Sequence, residues 1–147
     1  NCERKGGGET DGAFPPFCDK GGETMTISEA IARCDLVKPN QFDDQTKVEW
    51  LTRLDGKVWW DVIRSHEGAP EGEMPRYTTA DMEKTLLVPD PYAEEVYVRY
   101  LQSMIDLENA EISKYNQSAA MYNAAYQVFA AWYNRTHLPV SAGPLQI

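Results

Sequence analysis

Histidine and cysteine are scarce in this chain. His66, His137 and three cysteines among 147 residues leave little from which to build a metal or nucleophilic centre. The odd cysteine count, without a C-x-x-C pair or a nearby histidine, argues against both a zinc site and a disulfide scaffold, so a reducing cytoplasm is the expected setting. Positive charge is also short: 14 Lys and Arg against 23 Asp and Glu give a net charge of -9. A protein that grips nucleic acid by neutralising phosphates needs the opposite balance, though DNA that merely passes is compatible with this one. No apolar run approaches the roughly 18 residues of a membrane-spanning helix. Gly6-Gly7-Gly8 lacks the strand-to-helix context of a phosphate loop. No Ser/His/Asp or Cys/His set emerges from spacing. Asp43-Asp44 and Glu94-Glu95 sit at expected helix starts, where capping explains them, and the two histidines sit at expected helix ends, where the dipole suits them. Glu108 and Glu111 have metal-ligand spacing, but with no Glu-x-x-His and no matching second helix they read as a solvated face. Asn116-Gln117-Ser118 and Asn134-Arg135-Thr136 match the glycosylation pattern, yet nothing marks the chain as secreted. The sequence therefore predicts no enzyme and no cofactor.

What is present is helical periodicity. The length suits one domain, and a hydrophobic fraction of 42% suits a packed core. Thr26-Ile27-Ser28-Glu29 is a capping box that opens a short helix with Ile27, Ala30, Ile31 and Cys34 on one face, closed by Lys38-Pro39-Asn40. Cys34 reads as a small buried apolar residue. Asp43 or Asp44 caps a longer helix to about His66, with Val48, Leu51, Leu54 or Asp55, Val58 and Val62 inward. Trp50, Trp59, Trp60 and Ile63 widen that face, which signals burial on more than one side or contact with another subunit. Gly56 within this helix predicts close packing or a kink. An acidic loop from Glu67 to Thr85 follows, with Arg76–Thr79 readable as a strand and Thr79–Glu83 as a helical turn. Leu86-Leu87-Val88 then anchors the chain to the core.

The rest of the chain is organised around Asp90 to His137. Asp90-Pro91 is read as the helix opening. Apolar positions recur at helical spacing to Ile112 and again from Met121 and Tyr122 through Ala125, Val128, Phe129 and Trp132. The span Ser113–Ser118 is read as the turn of a helical hairpin, with Asn116 or Ser118 as its second cap; a single kinked helix is the competing reading. Pro139–Pro144 cannot be helical. At the other end, residues 1–24 are glycine-rich and aperiodic, a flexible extension. They are either an ordinary arm or an over-extended gene start, because the codons of Lys20-Gly21-Gly22-Glu23 can spell a ribosome-binding site before Met25. The fold class expected is all-α: a small bundle of short helix, long helix, acidic loop and helical hairpin over residues 25–147.

Charge is unevenly placed. From Ile112 to Ile147 there is no Asp or Glu at all. Neutral, tyrosine-rich helical surface is what protein–protein contacts favour, since charge is depleted and aromatics are enriched at interface centres. A core helix with an uncharged outer side is the plainer explanation. The candidate interface residues are Trp59, Trp60, Tyr122, Tyr126, Phe129, Trp132 and Tyr133.

Several stretches also carry a resemblance. They are Met25-Thr26-Ile27-Ser28-Glu29-Ala30-Ile31, Lys38-Pro39-Asn40-Gln41-Phe42 and Leu87-Val88-Pro89-Asp90-Pro91-Tyr92. With them go Tyr115-Asn116-Gln117-Ser118, Asn123-Ala124-Ala125-Tyr126 and Tyr133-Asn134-Arg135-Thr136-His137. In these the chain, from about Met25 to Pro139, resembles the small helical head–tail connector (adaptor) proteins of tailed phages and prophages of Gram-positive bacteria. The resemblance implies a ring of copies beneath a portal protein, a lining for the DNA channel without specific DNA binding, and contact with the next tail component. It implies assembly in the bacterial cytoplasm and residence in the virion. The rival expectation is a small cytoplasmic, prophage-encoded module that binds a host protein.

Overall fold

A computed structural model describes residues 24–139. The element order is a strand β1 (Thr24–Thr26), helices α1 (Ile27–Val37) and α2 (Asp44–Val58), a strand β2 (Thr85–Pro89), and helices α3 (Ala93–Glu108) and α4 (Ile112–Thr136). The chain is thus predominantly helical. It is not purely so, because β1 and β2 pair antiparallel, with Thr24 opposite Pro89 and Thr26 opposite Thr85. Thr24, placed in the N-terminal extension by its composition, belongs to the folded body through this pairing. The rest of that extension, and the segment after Pro139, lie outside the described residues.

Local chemistry explains where the first helices begin. Thr26 and Glu29 form the capping box, with the Glu29 amide donating to the Thr26 hydroxyl at 3.2 Å and the Thr26 amide to Glu29 Oε1 at 3.0 Å. Two more free N–H groups of α1 are taken by the loop that leads into β2, Ile27 to the Lys84 carbonyl and Ser28 to that of Met82. Asp43 caps α2 by accepting from the Thr46 amide at 2.9 Å, and hydrogen bonding from the Thr46 side chain and amide lowers its pKa. Beyond Val58 the helix widens into a π-helical turn, Trp59–Ile63, which ends when the Arg64 amide reaches back to the Trp59 carbonyl. In the acidic loop, the helical-turn alternative is the one formed. Thr78 caps a 3-10 turn at Thr79–Asp81.

Two junctions differ from the sequence expectation. The turn between the last two helices is at Asn109–Glu111, not at Ser113–Ser118. The α3 helix ends there because Ala110 adopts φ 60°, while the Ala110 and Glu111 amides fold back to the carbonyls of Leu107 and Asp106. That left-handed cap is usually glycine's, so alanine disguised it. Asp90 is not the cap of α3 either. The Asp90–Pro91 bond is cis and lies in a turn, the Tyr92 amide donates to the Pro89 carbonyl, and the helix begins at Ala93.

The core is assembled from α1, α2, β2 and α3. Ile27, Ala30, Ile31 and Cys34 meet Val48, Leu51, Leu54 and Val58, and Leu86, Val88, Val96, Leu101 and Ile105 close it. Burial pushes the Cys34 thiol up to about 12, consistent with an inert core residue. Gly56 is explained by the acidic loop, not by a helix, since a Cβ there would lie 2.9 Å from Met74 Sδ.

A carboxyl group sits inside this core. Asp55 is completely buried and has no cationic partner in its hydrogen-bond set. It accepts from the hydroxyls of Tyr77 (2.6 Å) and Tyr97 (2.5 Å) and from the Leu87 amide (3.0 Å). Tyr97 Oη in turn accepts from the Val88 amide at 2.8 Å. This one side chain therefore ties α2 to β2, α3 and the acidic loop. Burial pushes its pKa up to about 6, against the three donors that lower it.

Candidate interaction surface

The α4 helix is held to the body along one side only. Of its 25 residues, just Ser118 and Phe129 are buried. Ser118 donates to the buried Asp106 at 2.8 Å, and Asp106 also takes Lys38 Nζ at 2.9 Å, which pins the start of α4 to the ends of α3 and α1. Further along, half-buried rings form a layer. Tyr122 lies 5.2 Å from Tyr100 and Trp132 lies 5.2 Å from Tyr92, with Tyr126 and Tyr133 flanking Phe129. The Lys57 ammonium sits 5.0 Å from the Tyr126 ring centre, and burial raises the Tyr126 hydroxyl to about 12.

At its far end, α4 meets the segment after the π-helical turn. His66 is buried; its Nδ1 meets the Val62 carbonyl at 2.6 Å and its Nε2 the Asn134 side-chain amide at 2.7 Å. Its ring packs edge-on to Tyr133, which stacks on His137 at 3.8 Å and 4°. The Glu67 amide donates to the Leu138 carbonyl at 2.7 Å. The two histidines, 71 positions apart in the sequence, thus share one aromatic latch (66 and 137). His137 caps α4, as its place in the sequence suggested, whereas His66 lies two residues beyond the Arg64 cap and bridges to Pro139; their proximity was not legible in the sequence. Among the described residues, no three His, Cys, Asp or Glu side chains are grouped to hold a metal, and no helix is long and apolar enough to cross a membrane.

The candidate interface residues separate into three groups. Trp59 and Phe129 are core side chains of this chain, 5% and 1% exposed, so neither offers a surface. Tyr122, Tyr126, Trp132 and Tyr133 are half-buried in the aromatic layer against the body. Only Trp60 projects, at 61% exposure. The outward side of α4 is instead formed by residues that the sequence assigned to its apolar stripe, Met121 and Val128, with Ala120, Ala124 and Ala131.

Between Lys114 and Arg135 this helix carries no charged side chain. Beside its outward face runs a shallow hollow of about 370 Å³ between α3 and α4. Met121, Ala124, Ala125 and Val128 line one wall; Pro91, Tyr92, Glu95 and Arg99 line the other. The only charges there are Glu95 and Arg99, which pair with each other at 3.1 Å. The surface is thus uncharged in net terms and mostly apolar, on a chain whose net charge is -9. Comparisons with protein-family models, with curated proteins and with solved structures find no match.

Proposed function

We propose that this protein is a non-catalytic assembly component that works through the outward face of α4, in the role of a head–tail connector of a tailed phage. In that role copies form a ring between portal and tail and surround the DNA path. The small helical bundle is the body of each copy, and the protein moves from the bacterial cytoplasm into the virion. The observation that carries the assembly reading is the uncharged run Tyr115–Asn134 on a helix that is mostly exposed. A helix facing only water keeps charge on its outer side. The connector role rests on the sequence resemblance, and two features suit it. The acidic stretch from Glu67 to Glu111 is suited to solvent or to a channel that must not hold DNA. The buried network around Asp55 makes a rigid body from which α4 is presented.

The test is to sequence the DNA flanking this gene, reconstitute the chain with a portal protein encoded there, and view the product by electron microscopy. Ring-shaped density of this chain on the portal is the expected result. A one-to-one complex with a host protein, and no binding to portal, would replace the connector role with the host-binding module.

A further inference from the structure

We infer that the outward face of α4 is the contact between two copies of this chain, paired antiparallel about a two-fold axis that passes between Ala124 and Ala125. This rests on the assembly reading above and names its partner for the free protein. Three observations select a second copy.

The first is charge. Two chains of net charge -9 repel one another wherever their acidic surfaces meet. The outer side of α4 between Lys114 and Arg135 avoids this, and the ion pair of Glu95 with Arg99 leaves the rim of the adjoining hollow neutral.

The second is shape. A two-fold contact must be self-complementary, so one patch has to supply both what projects and what receives. Met121 and Val128 project, 41% and 57% exposed, beside the hollow that they partly line. They stand equally far on either side of the Ala124–Ala125 peptide, so the axis sets Met121 of each copy against Val128 of the other. At the crossing point, alanine lets two helices approach to about 8 Å. Antiparallel pairing also opposes the two helix dipoles favourably.

The third is area. The uncharged run Tyr115–Asn134 is about 30 Å long and offers on the order of 400 Å² per copy, which keeps Lys114 and the partner's Arg135 outside the contact. The total of roughly 800 Å² is the size of a weak, transient contact, below that of a permanent dimer. A two-fold contact closes on itself and cannot propagate into a ring. The pair therefore covers the assembly face in the free protein and gives it up to a larger partner.

The experiment is sedimentation of the full chain from about 1 μM to about 1 mM, for the native protein and for Val128→Glu. A parallel Ala124→Cys variant, with Cys2 and Cys18 changed to Ser, is oxidised and its disulfides mapped by mass spectrometry. Far-ultraviolet circular dichroism checks that each variant keeps its helices. The expected result has three parts. The native chain dimerises at tens to hundreds of micromolar, Val128→Glu weakens dimerisation at least tenfold, and the thiol introduced by Ala124→Cys links to its counterpart in a second copy. A dimer that survives Val128→Glu, with no such link, overturns the α4 pairing and leaves an assembly function through another face. A native chain that stays monomeric to 1 mM overturns the pairing; the portal reconstitution then decides separately whether the assembly reading falls with it.

Discussion

Replacing Asp55 by Asn should change how stability depends on pH. The carboxyl is fully buried, and burial lifts its pKa from the ordinary 3.8 to about 6. A shift of about two units corresponds to roughly 3 kcal/mol of differential stability. The sign follows from where the proton is held. Between pH 4 and 6 the folded chain keeps the Asp55 proton while the unfolded chain releases it. The contribution is therefore fully present below about pH 4 and is lost as the pH rises through 6. Asp43 and Asp81 act oppositely and lower down: their pKa values are depressed by hydrogen bonds to Thr46 and Thr78, so their contributions are lost as pH falls through the acid range below 3.8.

The neutral form of Asp55 also has somewhere to put its proton. Tyr97 Oη accepts from the Val88 amide, so its own hydrogen points to Asp55. Tyr77 Oη has no such constraint and can turn to accept the carboxyl hydrogen. Asn cannot satisfy all three donors, because its NH₂ must face one of them, and that mismatch costs about 1–3 kcal/mol. Urea unfolding of both proteins from pH 4.5 to 7.5 is the assay. The difference between them is the quantity to read, since the general self-repulsion of an acidic chain appears in both. Asp55→Asn should be less stable than the native protein at pH 4.5 and should recover roughly 2 kcal/mol relative to it by pH 7.5, the part of the shift that lies above pH 4.5. A difference that does not change with pH would refute the reasoning. It would mean that two phenols and an amide outweigh burial and hold Asp55 ionised throughout.

Other substitutions test the packing. Ala110→Gly should raise stability by about 1 kcal/mol, a few degrees in melting temperature, because Gly relieves the left-handed φ; a loss would deny that cap. Phe129→Ala should cost about 3–5 kcal/mol, and Trp132→Ala, half-buried against Tyr92, only about 1–2; equal costs in denaturant melts would contradict the depth assigned to α4. Gly56→Ala should be neutral within about 1 kcal/mol, since better helix propensity offsets the displacement of Met74; a loss above about 2 would show the loop cannot yield.

What the sequence disclosed was mostly what local chemistry decides. Thr26 with Glu29, and Asp43, name their helix starts because a cap and its target lie within three residues. The inner face of α1 could be read for the same reason. The pairing of Thr24–Thr26 with Thr85–Pro89 could not, because about 60 residues separate two short segments with no hairpin turn between them. The break at Ala110 was hidden by a residue that seldom takes that conformation. The adjacent Trp59 and Trp60 point about 100° apart on a helix, so one face cannot bury both. On α4 the periodicity gave a broad stripe but not its centre. Tyr122, Tyr126, Phe129 and Tyr133 turned out to face the body, with Met121 and Val128 at the outer margin.

That displacement bears on the role of α4. The core closes almost without it: α1, α2, the two strands and α3 supply all the buried apolar residues of the described elements except Phe129 and those at the π-helical turn. If α4 were merely the last layer of the core, its inward side would be deeply buried, and it is not. If it were a solvated surface helix, its outward side would carry Lys and Glu like the flanks of α2 and α3, and from Tyr115 to Asn134 it carries none. Neither packing nor solubility explains leaving Met121 and Val128 exposed amid alanine and amide side chains. The contact with another protein surface that we propose would account for both the shallow attachment and the missing charge, because such a helix must stay in place yet present a face that loses little on being dehydrated.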